Sequence, residues 1–181
     1  MHNPSSLYHF IPTGSNVPDE VNVIIEISEG SHMKYEYDHN LGVFMLDRVN
    51  YAPMPFPTNY GFIPQCWNID DNDPADAIVV SSYPIHQGVM VPCKVLGMLE
   101  MIDSGEKDDK IICVPVNDMR LMEVEKIEDF PSHFLKQIEY YFAYYKKIKN
   151  KEVDVKGFLS KAEAAKKIVK GMADHKEKFG G

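Results

Sequence analysis

The hydrophobic period of this chain changes once along its length, and that change limits the folds open to it. Up to about residue 116, apolar residues alternate with polar ones in short runs broken by Pro, Gly and Asn. In Val21-Asn22-Val23-Ile24-Ile25-Glu26-Ile27, the residues Val21, Val23, Ile25 and Ile27 share one face and Glu26 takes the other. Met33-Lys34-Tyr35-Glu36-Tyr37 also alternates and puts Lys34 beside Glu36. Further strands are expected over 43–48, 77–81, 89–99 and 110–116. After Asp129 the period becomes helical. Phe134, Ile138, Phe142, Tyr145 and Ile148 recur at helix spacing, with Pro131 suited to a first turn. Ser160-Lys161-Ala162-Glu163 reads as a capping box for a second helix, whose Ala165, Ile168, Val169 and Met172 share a face. Many short strands followed by helices predict a mainly β protein with α: an OB-like closed antiparallel β-barrel flanked by two C-terminal helices. No linker, repeat or shift in composition interrupts the chain, so residues 1–181 read as a single domain.

Charge and cysteine usage remove several classes of function. The formal net charge is −8, and no basic stripe with interleaved aromatics is present, which argues against binding nucleic acid. No apolar run approaches the ~18 residues of a membrane span. The first ten residues lack a basic region followed by an apolar one, so no signal peptide is expected. Cys66, Cys93 and Cys113 are odd in number, far apart and form no CxxC pair. They read as buried thiols in a reducing compartment rather than as a disulfide framework or a zinc site. A cytoplasmic location is expected. The Pro-rich stretch 51–64, with its turn-like Asn59-Tyr60-Gly61, reads as a segment ordered by packing over a site or a core.

Four aspartates fall within seven residues, Asp70-Asp71-Asn72-Asp73-Pro74-Ala75-Asp76, and no Lys or Arg lies among them. A second acidic run, Asp103-Ser104-Gly105-Glu106-Lys107-Asp108-Asp109-Lys110, follows. Like charges this close repel unless cations hold them, and hard divalent ions with oxygen ligands, Mg²⁺ above all, fit the donors. In a regular strand Asp71 and Asp73 would share a face and Asp76 would point away. Three carboxylates on one ion therefore need a bend at Asn72 to Pro74. An EF-hand does not fit, because neither register has Gly at the sixth position and Glu at the twelfth. Taken singly, each piece has a plain reading. The knot could be a solvated turn, Glu26 and the Lys34/Glu36 pair the polar faces of strands, and Arg48, Tyr60, Lys110, Tyr145 and Lys146 ordinary surface or packing residues.

Together the pieces resemble one family. Asp71-Asn72-Asp73-Pro74-Ala75-Asp76-Ala77 is similar to the signature of the soluble family I inorganic pyrophosphatases of bacterial type. The resemblance runs in order from about residue 7 to residue 170. It takes in Glu26, Lys34-Tyr35-Glu36, Asp47-Arg48, Asn59-Tyr60-Gly61-Phe62-Ile63-Pro64, then Asp103, Asp108 and Lys110, and finally Tyr145-Lys146. It implies hydrolysis of inorganic pyrophosphate at a site with several Mg²⁺ ions, Mn²⁺ or Zn²⁺ being substitutes, and a homohexamer. It implies that Asp71, Asp76 and Asp103 hold an activating metal pair and that Asp108, Glu26 and Glu36 serve further metals. Asp73 would orient the attacking water or take its proton. Lys34, Arg48, Lys110, Lys146, Tyr60 and Tyr145 would contact phosphoryl oxygens. Charge agrees with this: seven of these carboxylates face four of these cations, and a pyrophosphate would add about −3 to −4. About three or four divalent ions would bring the ensemble near neutrality. The rivals are a binding barrel without catalysis, a metal-dependent phosphohydrolase acting on nucleotides or polyphosphate, and a homologue that has lost activity.

Overall fold

The structure, a computed structural model, describes residues 6–180. Nine strands and three α-helices are present among them: α1 (Leu7–Phe10), β1 (Glu20–Ile27), β2 (Met33–Asp38), β3 (Val43–Val49), β4 (Asn59–Asn68), β5 (Asp73–Val79), β6 (Met90–Asp103), β7 (Glu106–Lys107), β8 (Lys110–Pro115), α2 (Ser132–Tyr144), β9 (Val153–Ser160) and α3 (Lys161–Phe179). Part of the segment read for a signal peptide, residues 1–5, lies outside the described residues.

Strands β1, β4, β5, β8 and β6 pair in that order, and β6 returns to β1, which closes a five-stranded barrel. The closed barrel and the two C-terminal helices are as expected. One pairing differs from a wholly antiparallel barrel: β5 runs parallel to β8. Parallel neighbours need a long crossover, and the stretch from 80 to 109, which contains β6 and β7, supplies it. At 14 residues, β6 is long enough to pair with β1, β8 and β9 along its length. Its bulge falls at Gly97, where a Cβ would lie 2.4 Å from the Leu159 carbonyl oxygen, so a side chain would force β9 away.

The barrel strands are apolar on both faces because each face is covered. Val23, Ile25, Ala77, Val79, Ile111 and Cys113 pack with Ala164 and Ile168 of α3. The alternate residues Ile78, Ile112, Val114, Leu96 and Leu99 pack with Ile138, Tyr141 and Phe142 of α2. Runs such as Ile111-Ile112-Cys113-Val114 therefore show no alternation. A third cluster, Tyr8, Ile24, Tyr37, Phe62 and Trp67, sits under α1. Around Tyr8 the rings of His9, His39, His175 and Phe179 join the start of the chain to the end of α3, with centroids 4.8–6.1 Å from that of Tyr8.

Three strands fall where none was expected. β4 begins within the stretch read as a packed turn segment, the short β7 lies in the second acidic run, and β9 lies in a third of the chain read as helical. Local helix signals also shift. Pro131 is the N-cap of α2 rather than a first-turn residue, and α2 ends at Tyr144. Ser160 caps α3 without a side-chain hydrogen bond, so the capping box does not form. The buried stripe of α3 is Ala164, Ile168 and Gly171, while Val169 and Met172 face outward. The three cysteines are free and buried.

Candidate active site

The acidic knot bends where the sequence required a bend. Asn72 takes φ +59°, and the Asp71 carboxylate accepts the Asp73 backbone N–H at 3.2 Å, an Asx turn that leads into β5. The second acidic run is a hairpin. Ser104 and Gly105 both have positive φ, +54° and +93°, between the paired Asp103 and Glu106. Positive φ at both central residues is the two-residue turn whose twist matches flanking antiparallel strands. β6 thus delivers Asp103 at its end, the hairpin returns Asp108, and β8 begins with Lys110.

These turns, with β1, β2 and β4, line one cavity of about 790 Å³. Its walls carry Glu26, Lys34, Glu36, Tyr60, Asp71, Asp73, Asp76, Asp103, Asp108, Lys110, Tyr145 and Lys146. Of the residues picked out from sequence, only Arg48 is not in the wall. It stands beside it on β3, opposite Lys34 in register, with Nη1 2.5 Å from Asp47 Oδ2. Its Nη2 is buried with no hydrogen-bond partner among the described residues.

Each cation contacts at least one carboxylate. Lys110 is 2 % exposed, with Nζ 2.5 Å from Asp76 Oδ2 and a second contact to Asp108. The Tyr60 hydroxyl works to lower the pKa of Asp76, against burial, and the Lys110 ammonium lies 5.8 Å from the Tyr60 ring centroid. Asp103 accepts from Tyr145 Oη at 3.0 Å, from Ser104 Oγ at 2.9 Å and from Lys146. Lys34 bonds Glu36 and reaches Asp47 at 3.3 Å, so Asp47 bridges Lys34 and Arg48. Glu26, nearly buried, accepts the Tyr37 backbone N–H at 2.7 Å.

The electrostatics show more negative charge than the lysines can balance. Burial, then Asp76, pushes the Asp71 carboxyl up to about 7; burial, then Asp76 and Glu36, does the same to Asp73. Burial and Asp76 raise Glu26 well above the usual carboxylate range, against the Tyr37 N–H and Lys34. Asp76 is raised by burial and Asp108, against Lys110 and Tyr60. Asp103 is the exception: burial would raise it, but Lys146, Ser104 and Tyr145 together hold it low. Carboxylates raised in this way are poised to lose protons to a cation. The donors described above are oxygens, the chemistry that Mg²⁺ and similar hard ions prefer. The buried, unpartnered Arg48 nitrogen fits an anion.

Sequence reasoning passed over Asn68 and Lys167, which hydrogen-bond each other, and gave no role to Asp109, which Lys167 also contacts. No local motif marks them, because they come from three separate elements.

A closed barrel with a cavity lined by carboxylates, lysines and tyrosines is suited to a small polyanion accompanied by cations. The comparisons with known proteins narrow that reading. The pattern of the family described as inorganic pyrophosphatase matches residues 23–176. The chain is 40% identical over 177 residues to an inorganic pyrophosphatase of Picrophilus torridus, covering 98% of this chain and 99% of that one. It is 43% identical over 152 residues to an inorganic pyrophosphatase of Halalkalibacterium halodurans, covering 84% and 92%. The solved inorganic pyrophosphatase of Thermus thermophilus superposes with a TM-score of 0.88 at 37% identity, covering 92% and 97%. That of Neisseria gonorrhoeae gives 0.89 at 34%, covering 94% and 99%. The chain belongs to the inorganic pyrophosphatase family. Membership implies a divalent metal cofactor and pyrophosphate as substrate. No helix among the described residues is long and apolar enough to cross a membrane.

Proposed function

We propose that this chain, acting as one domain, hydrolyses inorganic pyrophosphate to two orthophosphates at a site holding several Mg²⁺ ions, with Mn²⁺ or Zn²⁺ as substitutes. The observation that carries this reading is the convergence of seven carboxylates, most of them raised in pKa, on one cavity beside an unpartnered Arg48 nitrogen. Asp71, Asp76 and Asp103 would hold the first ions, and Asp108, Glu26 and Glu36 those that accompany substrate. Bound there, divalent ions would supply charge neutralisation and a more acidic water.

The chain's own groups divide the remaining work. Asp73 stands between Asp71 and Asp76 in sequence, opens to the cavity and titrates at about 7. It is suited to take the proton of a water whose oxygen attacks one phosphorus as the bridging P–O bond breaks. Lys34, Arg48, Lys110 and Lys146 bind and neutralise phosphoryl oxygens, Arg48 in a bidentate manner through its free edge. Tyr60 and Tyr145 donate hydrogen bonds to the same oxygens. Every one of the four cations contacts a carboxylate in this structure, so substrate and metal together replace a set of internal ion pairs. By the same reading the chain works in the cytoplasm as a homohexamer, which sedimentation velocity tests.

The experiment for the reaction is phosphate release from pyrophosphate by purified protein, with Mg²⁺ and with excess EDTA, beside ATP and tripolyphosphate. Release from pyrophosphate that requires Mg²⁺ supports the reading. Absence of release with every divalent ion overturns it.

A further inference from the structure

Behind the cavity wall, one lysine touches both acidic segments. Lys167 of α3 has Nζ 3.0 Å from Asn68 Oδ1, 3.4 Å from Asp109 Oδ2 and 3.8 Å from Asp70 Oδ2. Its side chain is 16 % exposed and that of Asp109 5 %. Asn68 ends β4, just before the knot, and is itself buried. Its amide nitrogen donates to the Lys107 carbonyl at 3.2 Å, and its polar side chain works to lower the pKa of Asp71, against burial. Asp109 accepts the Met101 backbone N–H at 3.3 Å, and the Asp108 N–H returns to the Met101 carbonyl at 3.0 Å. The knot and the hairpin are therefore joined twice: through Lys167, which contacts Asn68 and Asp70 on one side and Asp109, the residue before Lys110, on the other, and directly by the Asn68–Lys107 hydrogen bond.

The position of this lysine depends on a close approach of helix to strand. A Cβ at Gly171 would lie 2.5 Å from Cys66 Sγ and 3.1 Å from the Trp67 carbonyl oxygen. Glycine at 171 lets α3 rest on β4, and one turn earlier Lys167 lands over Asn68. Lys167, Asn68, Asp70 and Asp109 do not line the cavity, so none of them is offered as a ligand or a substrate contact.

We infer that Lys167 is a positioning residue. It fixes the spacing of the two acidic loops and so sets the affinity of the cavity for divalent ions. The inference rests on the metal-binding reading of the cavity but not on turnover. Groups that orient metal ligands from behind typically change metal affinity 10- to 100-fold when removed. The sign separates positioning from simple charge. Removing a cation leaves Asp70 and Asp109 unneutralised, which by charge alone would draw metal ions in more tightly.

The test is Mn²⁺ binding to the whole protein without substrate, read by electron paramagnetic resonance, for wild type, Lys167→Met and Lys167→Arg. Melting temperatures in EDTA check folding. The expected result is binding weakened about tenfold or more in Lys167→Met and largely recovered in Lys167→Arg. Unchanged or tighter binding in Lys167→Met overturns the inference, as does a wild type that binds no Mn²⁺. If Lys167→Met does not fold, Asn68→Leu cuts the Lys167 contact beside the knot and the bond to the Lys107 carbonyl and keeps the Lys167–Asp109 pair; the same weakening is expected, and wild-type affinity there overturns the inference. A wild type that binds Mn²⁺ yet releases no phosphate would sink the proposed reaction and leave this inference standing.

Discussion

Lys110 is where the stability of the barrel and the charge of the cavity meet, and replacing it by Met separates the two. The ammonium is 2 % exposed and sits against Asp76, at 2.5 Å, and Asp108. Burial works against its charge, but the two carboxylates outweigh burial and hold its pKa above the ordinary lysine value. Met preserves most of the stem's volume and removes the charge. Breaking a buried ion pair from one side costs about 3–5 kcal/mol, because the partner charge is left behind. Asp76 is only half-buried and can relieve its repulsion by taking up a proton, so the lower end, about 3 kcal/mol, is the better value here. For a chain of this length each kcal/mol moves the melting temperature by about 2–4 °C, which gives a drop of about 6–12 °C in EDTA at pH 8. The drop should shrink at pH 5, where the stranded carboxylates are more easily protonated, and shrink again when Mg²⁺ is added at pH 8. The assay is thermal unfolding by circular dichroism, with and without EDTA, at both pH values. A variant in EDTA at pH 8 that melts within about 2 °C of wild type would refute the claim that a buried lysine balances this partly buried acidic pair.

Asp71 and Asp73 titrate near 7 in the fold, against 3.8 ordinarily, so the native state binds more protons than the unfolded chain between those values. Stability of the metal-free protein must therefore fall as pH rises from about 5.5 to 8, and Mg²⁺ should restore it at pH 8; melting curves in EDTA that are flat or rise over this window would contradict the assignment. Asp73→Asn should lower kcat on pyrophosphate about 100-fold or more while the protein still binds Mn²⁺, and a variant with near-normal rates across pH would remove Asp73 as the proton acceptor. Gly61→Ala should lose about 4 kcal/mol or more, because the new Cβ would lie 1.9 Å from the Ile24 carbonyl oxygen in the β1–β4 pair; a wild-type melting temperature would show that the strands part at little cost.

The fold was legible wherever one face of an element meets polar surroundings. β2 and β3 are such strands, and their bounds agree within a residue of the alternating runs. The failures have separate causes. β4 is covered on both faces, so Asn59-Tyr60-Gly61-Phe62-Ile63-Pro64 shows no period, and its turn-forming residues read as a loop. Asn59 is buried there because its side-chain oxygen accepts the Glu29 and Ile85 backbone N–H groups, at 3.0 and 2.8 Å. Its amide nitrogen donates to Ser81 Oγ at 2.8 Å, so a residue typical of turns serves as a buried staple. β9 did carry a signal, the alternation of Val153-Asp154-Val155-Lys156, but it lies between two helical patterns and next to Gly157. The parallel β5–β8 pair leaves no local trace, since strand direction depends on the path taken by residues 80–109.

The charged lining of the cavity was legible for a physical reason. Charges that must converge cannot be disguised by burial, because a buried carboxylate needs a partner that the sequence must also supply. Asp70 to Asp76 and Asp103 to Lys110 are excesses that no ordinary surface requires, and the structure brings both to one cavity. What stayed hidden is the layer behind them. Lys167, Asn68 and Asp109 come from α3, the end of β4 and the turn before β8, and nothing in the second acidic run marks Asp109 as the one that turns to Lys167 rather than to the cavity. Only packing, through the glycine at 171, makes them neighbours. The residues that would hold metal are thus set by chemistry that a sequence displays, and the residues that would set how tightly it is held are set by geometry that a sequence conceals. If that division is right, Lys167→Met should change affinity while leaving the cavity's titration near neutrality in place, and Lys110→Met should disturb both.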